Sequence, residues 1–532
     1  MPDFSLDTID FVTIGIYIIA IMAIGIWVSR KTETSDDYFL AGRSLTWFFI
    51  GSSLLASNIS SSSLIGMAGS AYKSGISVYN YEWMAGLILV VFAVFFIPFY
   101  LKSRVFTMPE FLERRFDSRS RYYFSGMTIV GNIFIDTAGS LYAGGLVIQL
   151  LYPEVPFVLS VTALALIAGL YTIVGGLKAV VYTDAIQAVL LIFGATLITI
   201  LAFTEVGSWE TAMAATTAEM MSLVKPVTDD FLPWPGLLFG VPLLGFYFWC
   251  TNQFMVQRVL GAKDINNARW GALFAGFMKL FVIFIMVFPG IFALTLYPSL
   301  PAEPGYTPDL VFPVLLFDLL PAGIRGIILV ALIAAIMSSI DSTLNSASTL
   351  VTMDFAKKLK PDMSQKKLVL TGRIVTLLFM IISATWAPMI RNFPSLWEYL
   401  QSVLAYQAPP FVAAFVLGVF WKRTTDSGAF YGILGGHITS FILFLMINVF
   451  GVFDLHFLYV APVLLVVSLL IMVVVSNMTE APSFEKIKDL VWTRELFASE
   501  SEELKGMPWF KNYRYQSIII LVLTAVIIGT FW

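Results

Sequence analysis

The stretch GSSLLASNISSSSLIGMAGSAY, residues 51–72, decides the fold. It is apolar enough to belong to a buried span, yet eight serines and three glycines surround Asn58. Serine and asparagine side chains bond to nearby backbone and compete with the helix, and glycine loosens it further. Inside a membrane such an interruption survives only where it is buried in protein or lines a cavity. Close helix packing through small residues is the plainer reading of the same letters.

The rest of the chain puts this stretch in a membrane. Of 532 residues 58% are hydrophobic and 13% charged, about half the charge of a soluble domain. Apolar runs of 18 residues or more recur throughout, each long enough for a ~30 Å hydrocarbon core. Fourteen spans are predicted, near 9–28, 46–71, 78–101, 122–150, 156–174, 180–204, 236–257, 270–297, 322–355, 370–390, 395–420, 427–450, 455–476 and 513–531. The first has neither a cationic leader nor a small-residue cleavage site and reads as a retained helix. Alternate connections hold 27 of the 32 Lys and Arg residues, among them Arg30 and Lys31. The positive-inside rule makes those connections cytoplasmic and puts both termini outside the plasma (inner) membrane. A net charge of −3 gives no reason to expect a nucleic-acid partner. One cysteine, Cys250, excludes an internal disulfide and a cysteine metal cluster, and two histidines speak against a histidine metal site.

A second interruption is expected in the seventh span, where Pro235, Gly236, Gly240, Pro242 and Gly245 precede Phe246 to Trp249. Five spans separate the two, and matching breaks in two halves point to an inverted repeat with its binding site at the midplane. The predicted division is an extra helix and loop at 1–45, a first repeat at 46–204 and an outer loop at 205–235. A second repeat follows at 236–421, then three further helices at 422–532 with a cytoplasmic loop at 477–512.

Charges at membrane depth are costly and usually functional. Glu82, Asp136, Asp184, Lys279 and Asp341 fall at such depths; Lys279 needs a partner, and Asp136 is one candidate. In AAIMSSIDSTLNSAS (334–348), Ser338, Asp341, Ser342 and Asn345 share a helix face and Ser339 flanks it. Such hydroxyls often bond back to their own helix. Facing an unwound helix they can instead complete a cage of neutral oxygens for a hard cation. No G-x-x-x-x-G-K loop is present, so an ion gradient is the expected energy source, and sodium suits neutral oxygens. A channel would need a continuous polar pore, and an enzyme a nucleophile–base pair or metal set. Neither pattern is visible, and no enzymatic activity is expected.

At these residues the chain resembles the sodium:solute symporter family, its sodium/glucose cotransporter branch in particular. LYTIVGGLKA (170–179) and KRTTDSGAFYGILGGHI (422–438) look like the family's signature regions. ASNIS (56–60), YEW (81–83), YTDAIQ (182–187), FWCTNQFMVQR (248–258), MKL (278–280), SSIDSTLNSAST (338–349), YLQS (399–402) and APPFVAAFVLGVFWKR (408–423) read as members of that branch. The resemblance implies an all-α polytopic protein with a LeuT-like core, spans two to eleven forming a five-plus-five inverted repeat whose first helices are discontinuous. It implies a sodium site from the carbonyls of Ala56, Ile59 and Ala335 and the hydroxyls of Ser338 and Ser339. A second sodium site would use Asp184, Asp341 and Ser342. Sugar contacts map onto Asn58, Glu82, Lys279 and Gln401, with Ser63 and Trp249 beside them. Phe248 and Trp249 match an inner aromatic gate, and Met67, Tyr81 and Trp397 an outer one. The implied activity is uptake of a sugar with sodium by alternating access. Ser63, Phe248 and Gly245 depart from residues common in the sugar transporters, and Asp136 is unusual beside a neutral sugar. A sodium symporter for sialic acid, an inositol, an organic acid or an amino acid is the alternative.

Overall fold

The computed structural model describes residues 6–29, 34–59, 61–303, 306–393 and 396–532. Ser60, Arg30 and Lys31, which entered the reading above, lie outside them. The main helices are α1 (Thr8–Ser29), α2 (Trp47–Asn58), α3 (Ser61–Ser74), α4 (Ile76–Lys102), α5 (118–151), α6 (Phe157–Val206), α7 (Trp234–Thr251) and α8 (Gln253–Leu260). They continue with α9 (Ile265–Lys279), α10 (Ile283–Leu296), α11 (Ile324–Leu350), α12 (Gln365–Arg391), α13 (Leu396–Phe420), α14 (Asp426–Val449), α15 (Phe457–Met478) and α16 (Tyr513–Thr530). Among the described residues no strand is formed.

Every predicted span is helical. Nine helices among the described residues are long and apolar enough to cross a membrane, and two bent pairs bring the count to eleven. The expected spans beyond these are α5, α11 and the short apolar start of α6 at Phe157–Ala168. The chain from 157 to 206 is one helical run, so the connection predicted between spans five and six is not a loop. No proline lies in that stretch to remove a helix hydrogen bond.

The break between α2 and α3 falls where residues 51–72 place it. Ile59 leaves the helical region (φ −76°, ψ 69°) while its N–H still donates to the Leu55 carbonyl at 2.7 Å. The seventh span breaks later than predicted, at Asn252 (ψ 128°), after a π-turn over Tyr247–Thr251. Asn252 then caps α8, its side chain accepting from Phe254 N–H. The glycines expected to unwind α7 serve packing instead. A Cβ on Gly236 would meet Leu458 at 2.8 Å, and one on Gly240 the Leu458 carbonyl at 2.5 Å. An unpredicted 45° bend separates α9 from α10 directly after Lys279.

Small residues also close α2 onto α9, where a Cβ on Gly51 would lie 2.7 Å from the Gly271 carbonyl. The stretch that decides the fold is therefore both broken and tightly packed. Several cations counted with the cytoplasmic connections are buried rather than solvated: Arg115, Arg121, Arg258 and Arg269. Arg121 on α5 pairs with Asp354 at 2.6 Å, beyond the end of α11, and Asp354 also accepts from Thr107 at 2.8 Å. That cluster ties the ends of three segments together.

Candidate functional site

The α2–α3 break opens onto a cavity of about 100 Å³. An ordered water needs only ~10–15 Å³ of such space, so the polar groups around it can stay hydrated. Asn58, Ser63, Glu82, Trp249 and Gln401 border it, as do Phe248, Tyr81 and Trp397. Lys279, at the end of α9, lies behind this lining: its ammonium donates to the Glu82 carboxylate and to Asn58 Oδ1 and lies 5.5 Å from the centre of the Trp249 ring. Glu82, not Asp136, is thus the partner Lys279 needs. The bend after Lys279 lets a cation from mid-membrane depth meet a carboxylate on α4. Ser63 Oγ donates to the Asn58 carbonyl at 2.8 Å, satisfying a group the break exposes.

Tyr81 and Trp397 meet edge to face at 5.4 Å between ring centres, across α4 and α13. Met67 is fully buried and does not border the cavity. Phe248 and Trp249 stand edge to face at 5.2 Å on the π-turn of α7.

The predicted sodium ligands lie on the two elements expected. Ala56 and Ile59 flank the break, and Ala335, Ser338 and Ser339 lie on α11. Ser339 is buried and borders the cavity. Ser338 Oγ donates to Asp184 Oδ1 at 2.6 Å, so in this conformation its hydroxyl serves a carboxylate on α6. The second set is not assembled as a cage. Asp184 also accepts from Ser53 and, at 3.4 Å, from Ser57, and it pairs with Arg258 at 3.3 Å. Arg258, fully buried on α8, also donates to the hydroxyls of Ser53, Ser57 and Ser342 and to the Phe254 carbonyl. Ser342 donates to the Ser338 carbonyl at 2.6 Å. Asp341 is fully buried on α11, within electrostatic reach of Tyr17, whose hydroxyl accepts from Gln187 at 3.1 Å.

Arg258 is the residue that sequence reasoning missed. Counted as a loop cation, it carried a signal all the same. Gln253 and Gln257 are four apart and Arg258 follows directly, in a segment otherwise apolar from Phe254 to Leu260, a pattern a solvated loop has no reason to keep.

A discontinuous helix facing a serine-lined one, around a cavity closed by aromatics, defines an ion-coupled membrane transporter. The sodium:solute symporter family model matches residues 38–436. The chain is 35% identical to sodium/glucose cotransporter 4 of Danio rerio, over 96% of this chain and 84% of that protein. It is 36% identical to sodium/myo-inositol cotransporter 2 of Oryctolagus cuniculus, over 92% and 80%. Among solved structures, a sodium-coupled sialic acid symporter in a substrate-bound outward-open state superposes with a TM-score of 0.79 at 25% identity, covering 90% of this chain and 99% of that one. Mhp1, a nucleobase-cation-symport-1 family transporter, shares the fold alone, at a TM-score of 0.54 and 14% identity, over 86% and 98%. The chain belongs to the sodium:solute symporter family. It has a LeuT-like fold, moves a small solute with sodium and is not an enzyme.

Proposed function

We propose that this symporter couples inward sodium flux to uptake of a sugar or closely related polyol. One observation carries the reading: at the helix break, Asn58, Glu82, Lys279 and Gln401 present donors and acceptors together beside the face of Trp249. Hydroxyl groups need both, and the C–H face of a sugar ring suits an indole. At ~1 kcal/mol net per hydrogen bond the grip is modest, which a solute that must leave again requires. The relatives named for glucose and myo-inositol support the same class.

Sodium would bind first, held by the carbonyls of Ala56, Ile59 and Ala335 and the hydroxyls of Ser338 and Ser339. The ion would then touch the broken helix and α11 at once and favour the arrangement that accepts solute. Tyr81 with Trp397 would close the outer side, and Phe248 with Trp249 the inner. We place the first repeat at 46–204 and the second at 236–421, in a plasma-membrane protein with both termini outside. An organic-acid substrate is disfavoured because Glu82 already neutralises Lys279. The test is uptake of a panel of radiolabelled hexoses, inositols, sialic acid and organic acids into proteoliposomes, with and without a sodium gradient. Sodium-dependent, saturable uptake of a polyol is expected; sodium-dependent uptake of acids alone would overturn the reading.

A further inference from the structure

The cavity holds one carboxylate more than the Lys279 pair accounts for. Asp136 borders it, beside Ser140, Leu400 and Gln401. It sits in a π-turn of α5 spanning Asn132–Thr137, and such turns re-aim side chains and cluster at functional sites. Its neighbours on that turn are spent on α11: Asn132 Nδ2 donates to Ser346 at 2.9 Å, and Thr137 and Thr343 share a hydrogen bond of 2.6 Å. Asp136 borders the cavity, and neither Asn132 nor Thr137 does. Three residues on, a Cβ at Gly139 would lie 3.2 Å from Leu400 of α13, so this side of α5 meets the helix that carries Gln401 and Trp397.

Among the described residues the Asp136 carboxylate takes part in no hydrogen bond and no ion pair. Ser140 donates past it to the Asp136 backbone carbonyl at 2.9 Å. None of the described residues bordering the cavity is Lys, Arg or His. Lys279 beside it is held by Glu82 and Asn58. Glu82 and Lys279 cancel, leaving Asp136 as the carboxyl group that borders the solute space with no cation beside it. A carboxylate at this depth is costly without a cationic partner, and a purely neutral solute supplies none.

The geometry points to Asp136 as a specificity-determining residue that receives the ammonium of an amino-substituted polyol, an assignment that rests on the polyol reading above. The ring hydroxyls would meet Asn58, Glu82, Lys279 and Gln401 while the amine meets Asp136 across the cavity. Sodium is the competing claimant, since Ser339 and Thr343 border the same space.

The test compares glucosamine, N-acetylglucosamine and glucose as competitors of sodium-driven uptake at neutral pH, in wild type and Asp136→Asn. The three share a ring and differ in charge at one carbon. Wild type is expected to prefer glucosamine over both neutral analogues. Removing one partner of a buried charge pair typically costs on the order of 30-fold or more, so the glucosamine-to-glucose affinity ratio should fall by about that factor in Asp136→Asn. Absence of amine preference in wild type overturns the proposal without reference to any variant. So does an equal loss for all three sugars, or a shift in sodium half-saturation with the preference unchanged, which would give Asp136 to the ion. Sodium-dependent thermal stabilisation of the variant shows that it has folded. If neutral sugars are carried without amine preference, this proposal alone falls; if no sugar is carried with sodium, the polyol reading falls too.

Discussion

Lys279 has no exposure at all, and its ammonium is shared by Glu82 and Asn58. Breaking a buried pair by removing one partner costs roughly 3–5 kcal/mol, because the survivor stays buried and charged. Losing one hydrogen bond to a solute hydroxyl costs only ~1–3 kcal/mol. Two cavity residues with the same proposed duty should therefore behave differently. Glu82→Gln is expected to lower both melting temperature and uptake, and adding Lys279→Met should restore the melting temperature but not the uptake. Gln401→Ala should weaken solute affinity and leave melting unchanged. Thermal unfolding and uptake of the four proteins check this; a double variant less stable than Glu82→Gln would show that pairing is not what Lys279 needs. Depth along one helix told the sequence reader that Lys279 required a partner. It could not say which facing helix supplies it, because that depends on the bend after Lys279.

At the scale of elements, the legible features were those written in local chemistry, and the illegible ones depended on what packs opposite. The serine-rich break at Ile59 competes with its own backbone and shows in the letters. Gly236 and Gly240 look like another break, but Leu458, more than two hundred residues away, turns them into a packing surface. The real break at Asn252 swings α8 inward and carries Arg258 into the serine cluster around Asp184. We expect that contact to lock the half of the molecule around Asp184. Cys250, the only cysteine in the sequence, is fully buried on the π-turn just before the break and reports on the lock. Arg258→Ala should speed its labelling by a membrane-permeant maleimide, and sodium should slow it again; an unchanged rate would make Arg258 a packing residue. Asp309 lies in the connection between α10 and α11 and accepts from the Leu396 N–H at 3.3 Å, where α13 begins. Burial pushes its carboxyl up to about 6. A raised carboxyl favours the folded state while protonated, so that contribution is full below pH ~4 and is lost as pH rises through about 6. Asp309→Asn keeps the acceptor without the charge. It should gain up to about 2–3 kcal/mol over wild type above that window and little below it, read from melting temperature against pH.

For the whole molecule, transport requires that ion and solute sense each other across helices that do not share a backbone. Ser57 and Asn58 of the break and Ser339 of α11 border one cavity, while Ser338 is tied to Asp184. A cation between them would hold the broken helix against α11 and so pre-form the solute site. Binding energies linked in this way are reciprocal, with typical coupling of 1–3 kcal/mol. Ser339→Ala removes one of about five proposed oxygen ligands, few enough that a hard cation notices the loss, while volume hardly changes. Folding should survive, since the side chain contributes no packing that a methyl cannot replace. We expect sodium-coupled uptake to be abolished or severely weakened, and the half-saturating sodium concentration to rise wherever uptake is still measurable. The thermal stabilisation that sodium gives over potassium should shrink in parallel, because it reports ion binding without any transport step. Ser338→Ala offers the contrast: its hydroxyl also serves Asp184, so its loss should disturb the Arg258 lock and change Cys250 labelling even without sodium, which Ser339→Ala should not. If Ser339→Ala keeps wild-type sodium dependence and sodium-specific stabilisation, the cation binds elsewhere, and the break and α11 are coupled by packing alone.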